Sequence, residues 1–146
     1  METDFWQFWH SGSGFDKDAW FESYKIERAA RPLSSGRQRR NTVSTTRRVI
    51  EWVLVAAAPI RCLETNLYAT PSETAGELSN QQRCSDVFQF LLSAIRPRVI
   101  LAHGKDACRH LQIEDTDARV IEASHFSRGW SKIRAQELGR EIANEK

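Results

Sequence analysis

The chain has 146 residues, of which 40% are apolar and 27% charged, with a formal net charge of +2. This length suits one domain of ordinary size that buries about 70% of its unfolded surface, so a core needs no disulfide framework. The composition is globular, and no apolar run approaches the ~20 residues that span a bilayer, which excludes a membrane-embedded helical protein.

Glu2 and Asp4 stand where a secretory or transit leader carries basic residues, so the expected location is cytoplasmic. The three cysteines, Cys62, Cys84 and Cys108, are odd in number and lack metal-ligand spacing. They are expected to be reduced, buried thiols. His10, His103, His110 and His125 are scattered, so neither a metal nor a cofactor is expected.

In chain order, residues 1–10 are crowded with Phe5, Trp6, Phe8 and Trp9, and Ser11-Gly12-Ser13-Gly14 then predicts a turn. The pattern over 15–30 predicts an amphipathic helix that buries Trp20, Phe21, Tyr24 and Ala29, ended by Arg31-Pro32. Residues 28–48 hold seven arginines and no acid. Such a stretch fits a solvated loop or a phosphate-binding surface. A core helix is predicted over 47–58 from Val49, Ile50, Val53, Leu54 and Ala57, capped by Thr45 or Thr46 and stopped by Pro59. The alternation over 60–66 then predicts a short strand that ends at Asn66.

After a polar loop, residues 81–95 predict a second strong helix with Cys84, Val87, Phe88, Leu91, Leu92 and Ile95 on one face. Arg96-Pro97 closes it, and 98–102 reads as a strand buried on both faces. His103-Gly104 turns into a short helix over 105–111, a strand follows over 118–123, and Ser131 caps a final helix that reaches residue 143. Helix and strand alternate without a hairpin signal in this half. That pattern predicts an α/β fold: one three-layer domain with a short parallel sheet flanked by helices and joined by right-handed crossovers. Ligands of such sheets gather beyond the carboxyl ends of the strands. The residues to examine are therefore those just past each predicted strand, Asn66 to Ala69, His103 to Lys105 and Ser124 to Arg128. An Asn offers an acceptor and donors, and a His offers a donor near neutral pH.

Four segments in this order resemble the uracil-DNA glycosylase superfamily: Leu63-Glu64-Thr65-Asn66-Leu67-Tyr68, Val87-Phe88-Gln89-Phe90-Leu91-Leu92, Val99-Ile100-Leu101-Ala102-His103-Gly104 and Val120-Ile121-Glu122-Ala123-Ser124-His125-Phe126-Ser127. The likeness spans about residues 47–142. It implies recognition or excision of uracil-type bases in DNA, as in base excision repair, with DNA as partner and no cofactor. By this resemblance His125 is the catalytic donor to the leaving base. Asn66 reads the base edge, with Tyr68, His103, Phe126 and Ser127 lining the pocket and Tyr68 or Phe126 offering a stacking face. Arg128 and Trp130 fall where the family presses a loop into DNA, and Arg37, Arg39 and Arg40 are expected to hold phosphates. Phe126 stands where the family usually has Pro, and the family's initial strand with its Gly/Pro-rich water-handling loop has no match before Phe5. The alternatives are a catalytically silent relative that binds nucleic acid or protein, and an N-terminally truncated glycosylase.

Overall fold

The computed structural model describes residues 5–33, 35–70 and 75–145, and the chain divides into two compact units, 1–48 and 49–146.

In the first unit a two-residue strand β1 (Trp9–His10) pairs antiparallel with β2 (Gly14–Phe15). The Ser11–Gly14 turn closes this hairpin, as its small residues predict, and Gly14 sits at φ +81°, a conformation that glycine adopts without steric cost. Helix α1 (Lys17–Ala30) starts two residues later than the pattern suggests because Asp16 is its cap: the carboxylate accepts from the Ala19 N–H at 2.9 Å. Trp20, Phe21 and Tyr24 stack on one another and are half-buried, whereas Ala29 is exposed.

Helix α2 (Thr45–Ala57) also has a different cap from the one expected. Ser44 accepts the Arg47 N–H at 3.1 Å, so Thr45 and Thr46 lie inside the helix. Its buried stripe of Val49, Val53 and Ala57 belongs to the core of the second unit, with Phe126 and with Ala135, Leu138 and Ile142 of the last helix.

The second unit continues through α3 (Asp86–Ile95), β3 (Val99–His103), α4 (Lys105–Leu111), β4 (Arg119–Ala123) and α5 (Lys132–Ala143). Strands β3 and β4 pair in parallel with Val99 opposite Arg119 and His103 opposite Ala123. Val99, Leu101, Ile121 and Ala123 face the α2–α5 core, and the Gln112 amide at the end of α4 bonds Glu122 at 3.0 Å on the opposite face. The protein is therefore a mixed α/β fold with a short parallel sheet.

Three expectations change. Residues 61–66 are irregular and exposed, so Asn66 does not end a strand. A strand must place its N–H and C=O groups on a neighbour, and alternation over 60–66 carries no information about whether one exists. Cys62 and Cys84 are exposed and Cys108 is half-buried, all three as thiols. Helix α3 is shorter than predicted, and none of its residues is fully buried; Val87, Phe90 and Ile95 are exposed. Among the described residues no helix is long and apolar enough to cross a membrane.

Candidate functional site

Parallel pairing brings the ends of β3 and β4 to one edge, and this edge carries His103 and His125. The Gly104 N–H extends the ladder by donating to the Ala123 carbonyl at 3.1 Å. The two imidazoles meet edge to face with centroids 5.3 Å apart. Gly104 makes the approach possible in two ways. It holds φ +93°, and a Cβ at this position would lie 3.1 Å from Cδ2 of His125.

His125 is exposed, and its tautomer follows from the turn after β4. The Ser127 backbone N–H donates to Nδ1 at 3.2 Å, and the Ser127 hydroxyl lies 2.8 Å from the same nitrogen. A backbone N–H cannot accept, so Nδ1 carries the lone pair. The hydrogen-bond pattern thus assigns a neutral imidazole with its proton on Nε2. The result is a fixed donor at the sheet edge.

His103 is also held neutral. Burial lowers its pKa from the ordinary value of 6.5, and a positive charge on the neighbouring His125 would lower it further. Its Nδ1 is buried without a hydrogen-bond partner. Beneath the strand ends the Cys108 thiol points at the carbonyls of Ala102 and Ala123, at 3.7 and 3.9 Å.

Phe126 is 1% exposed and stacks on His103 at 4.3 Å between centroids. Its expected role as a stacking face for a base gives way to a core role: the ring backs the histidine from within. Trp130 is likewise committed to the fold. It meets Phe126 edge-on at 4.9 Å, donates its indole N–H to the Ser124 carbonyl at 3.3 Å, and lies under the Arg134 guanidinium at 4.3 Å. The arginine that partners Trp130 is therefore Arg134 and not Arg128, which is exposed in the 125–128 turn.

Of the remaining sequence candidates, Asn66 lies in the irregular segment with its carbonyl accepting from the Thr65 hydroxyl. Tyr68 is half-buried beneath the Arg83 guanidinium at 5.7 Å. Arg37 and Arg40 are exposed in the first unit, and Arg39 is pinned by its Nε to the Arg31 carbonyl at 2.9 Å. Arg134 did not figure among the sequence candidates, and Gly104 figured only as part of the His103–Lys105 turn. The signal for Gly104 was a glycine directly after an apolar strand, whereas nothing marks Arg134 out among the arginines.

A depression of about 340 Å³ lies elsewhere, lined by Gln89, Arg96, Glu114 and Asp117 among others. Its polar groups bind one another: Gln89 donates to Glu114, which lies 3.2 Å from Nε2 of His110. That set clasps α3 to the exit of α4. Among the described residues no group of three or more His, Cys, Asp or Glu is placed to hold a metal ion. Compared with known proteins, the chain matches no family model, no curated protein and no solved structure.

Proposed function

We propose that the second unit recognises a uracil-type base in DNA at the His103–His125 edge, as a domain similar to the uracil-DNA glycosylase superfamily. One observation carries the reading: the Ser127 N–H fixes His125 as a neutral Nε2–H donor. A base carbonyl is the natural acceptor for it. If the glycosidic bond breaks, negative charge grows on that oxygen, and a preorganised donor contributes about 2.7–4 kcal/mol to the transition state. Neutral His103 suits the same role of receiving an uncharged, flipped base, because a cation at this buried position would cost desolvation.

The parallel pairing of β3 and β4 supports the reading, since it brings the two histidine-bearing turns to one edge. Asn66 lends it less support, because the segment that carries it forms no strand. The function proposed is base recognition, with excision as a separate property of the same edge.

The test is a titration of uracil-containing against adenine-containing single strands of otherwise identical sequence, since adenine offers no carbonyl to the donor, beside an assay for abasic sites. Preferential uracil binding that His125→Ala abolishes supports the reading, and abasic-site formation that His125→Ala slows would add excision to it. Equal affinity for both strands, or a preference that His125→Ala leaves intact, overturns it.

A further inference from the structure

The first unit holds a second arrangement of groups that the base-recognition reading does not use. Its acids, at positions 2, 4, 16, 18, 22 and 27, all precede Arg28, and the seven arginines from Arg28 to Arg48 follow them without an acid. A loop this basic could be loose in solvent, but here it is built. Leu33 donates to the Arg37 carbonyl at 2.9 Å, Gly36 to the Leu33 carbonyl at 2.8 Å, and Arg39 to the Arg31 carbonyl at 2.9 Å.

The chain then runs back along α1. Arg31 caps the C-terminal end of that helix, the Ser44 N–H meets the Tyr24 hydroxyl at 3.2 Å, and Arg47 lies over the Trp20 ring at 5.2 Å. Arg31 and Arg39 thus lie at the C-terminal end of α1, a helix of ~21 Å, and Arg47 lies toward its start, with exposed Arg37 and Arg40 in the segment that joins them. At the N-terminal end the contacts continue from Trp20 to Phe15 and from Phe15 to Phe8, each at 6.3 Å. Beside Phe8 in sequence stand Trp6 and Trp9, edge to face at 6.5 Å and 69% and 46% exposed. Exposed indoles also suit a protein partner. The acid-free run of cations selects a polyanion, and a polyanion with accessible ring faces is an unpaired nucleic acid.

We propose that the first unit is a binding surface for single-stranded nucleic acid, in which the arginines along α1 hold phosphates and Trp6 and Trp9 stack bases. A basic track that leads to aromatic faces is the arrangement that such binding requires, and a length of ~21 Å suits the low end of the usual 4–16-nucleotide sites. The proposal does not depend on base recognition by the second unit.

The experiment uses the full chain and a fluorescent oligo-dT of about 15 nucleotides, with oligo-U of the same length as a second arm. Exposed Arg37 and Arg40 can be changed without disturbing a core, and circular dichroism verifies the fold of each variant. Arg37→Gln with Arg40→Gln should flatten the slope of log K against log salt by about 1.4, at ~0.7 per lost single-strand phosphate contact. Trp6→Ala and Trp9→Ala should each weaken binding about 5- to 150-fold per lost stack while leaving that slope unchanged. The salt slope belongs to this proposal alone, because a neutral donor at the sheet edge displaces no counterion, and it separates failure of this proposal from failure of the previous one. Absence of binding at low salt, an unchanged slope in the arginine variant, or equal binding of duplex and heparin with silent tryptophan variants would each overturn the proposal.

Discussion

At the residue scale Gly104 and His103 do the most to shape the sheet edge. Gly104→Ala forces a side chain into a backbone conformation, φ 93° and ψ 155°, that essentially only glycine adopts, at about 1–3 kcal/mol, and also sets a methyl 3.1 Å from the His125 ring. Lower stability in urea, together with a shifted His125 imidazole resonance in NMR spectra, is the expected outcome; an unchanged resonance would show that the ring tolerates the methyl in place. His103 should make stability depend on pH. Its folded pKa is lowered by burial and by His125. Above the ordinary value of 6.5 the group is neutral in both states and contributes no pH dependence. As pH falls through that value the unfolded chain takes up the proton first, so stability declines until the folded pKa is reached. The fall in urea midpoint between neutral and mildly acidic pH should therefore be smaller in His103→Gln than in the unaltered chain, and an equal fall would place the titration elsewhere. Both histidines were legible as residues that follow strands. The burial of Phe126 was not, because an aromatic in a turn looks the same in sequence whether it faces solvent or slides beneath a neighbouring imidazole.

At the element scale the contact between α2 and α5 holds the core that the sheet edge rests on. Gly139 lies at the crossing: a Cβ there would be 2.4 Å from the Val53 carbonyl and 2.7 Å from the Ala56 methyl. Gly139→Ala would improve helix propensity by up to ~1 kcal/mol, but overpacking of a backbone contact costs about 1–3 kcal/mol. Net destabilisation, read from the urea midpoint, is expected; a gain in stability would mean that the helices separate easily. The elements best foreseen were those whose signal is local. Helix α4, bounded by a glycine after an apolar strand, matches the predicted 105–111, and α5, capped by Ser131 and running to Ala143, ends where its pattern ends. Residues 61–66 failed because strand formation depends on a partner that alternation cannot specify. Helix α3 failed differently: its apolar stripe is real, yet Val87 and Ile95 of that stripe remain exposed, because periodicity reports which residues share a face and not what covers that face.

On the scale of the whole molecule the charge is divided unevenly. Residues 1–48 contain nine basic and six acidic residues, a balance of +3, which leaves −1 for residues 49–146 within the total of +2. Two kinds of attraction to one strand should follow, with different physical signatures. Phosphate binding by the first unit releases counterions, so it weakens steeply with salt and is indifferent to the base. If His125 hydrogen-bonds a base carbonyl, it should favour uracil over adenine, which has none, with little salt dependence, because a neutral donor displaces no counterion. In a uracil-containing single strand, His125→Ala should then abolish the preference over adenine while leaving the salt slope intact. Arg37→Gln with Arg40→Gln should lower affinity for both strands equally and flatten the slope. If the two contributions are independent, the combined variant should lose the sum of the separate free energies to within about 0.3–0.5 kcal/mol. The titration series across salt for all four proteins measures this directly. A combined loss well beyond the sum would mean that neither attraction acts alone, so that the arginines of the first unit place the strand for His125.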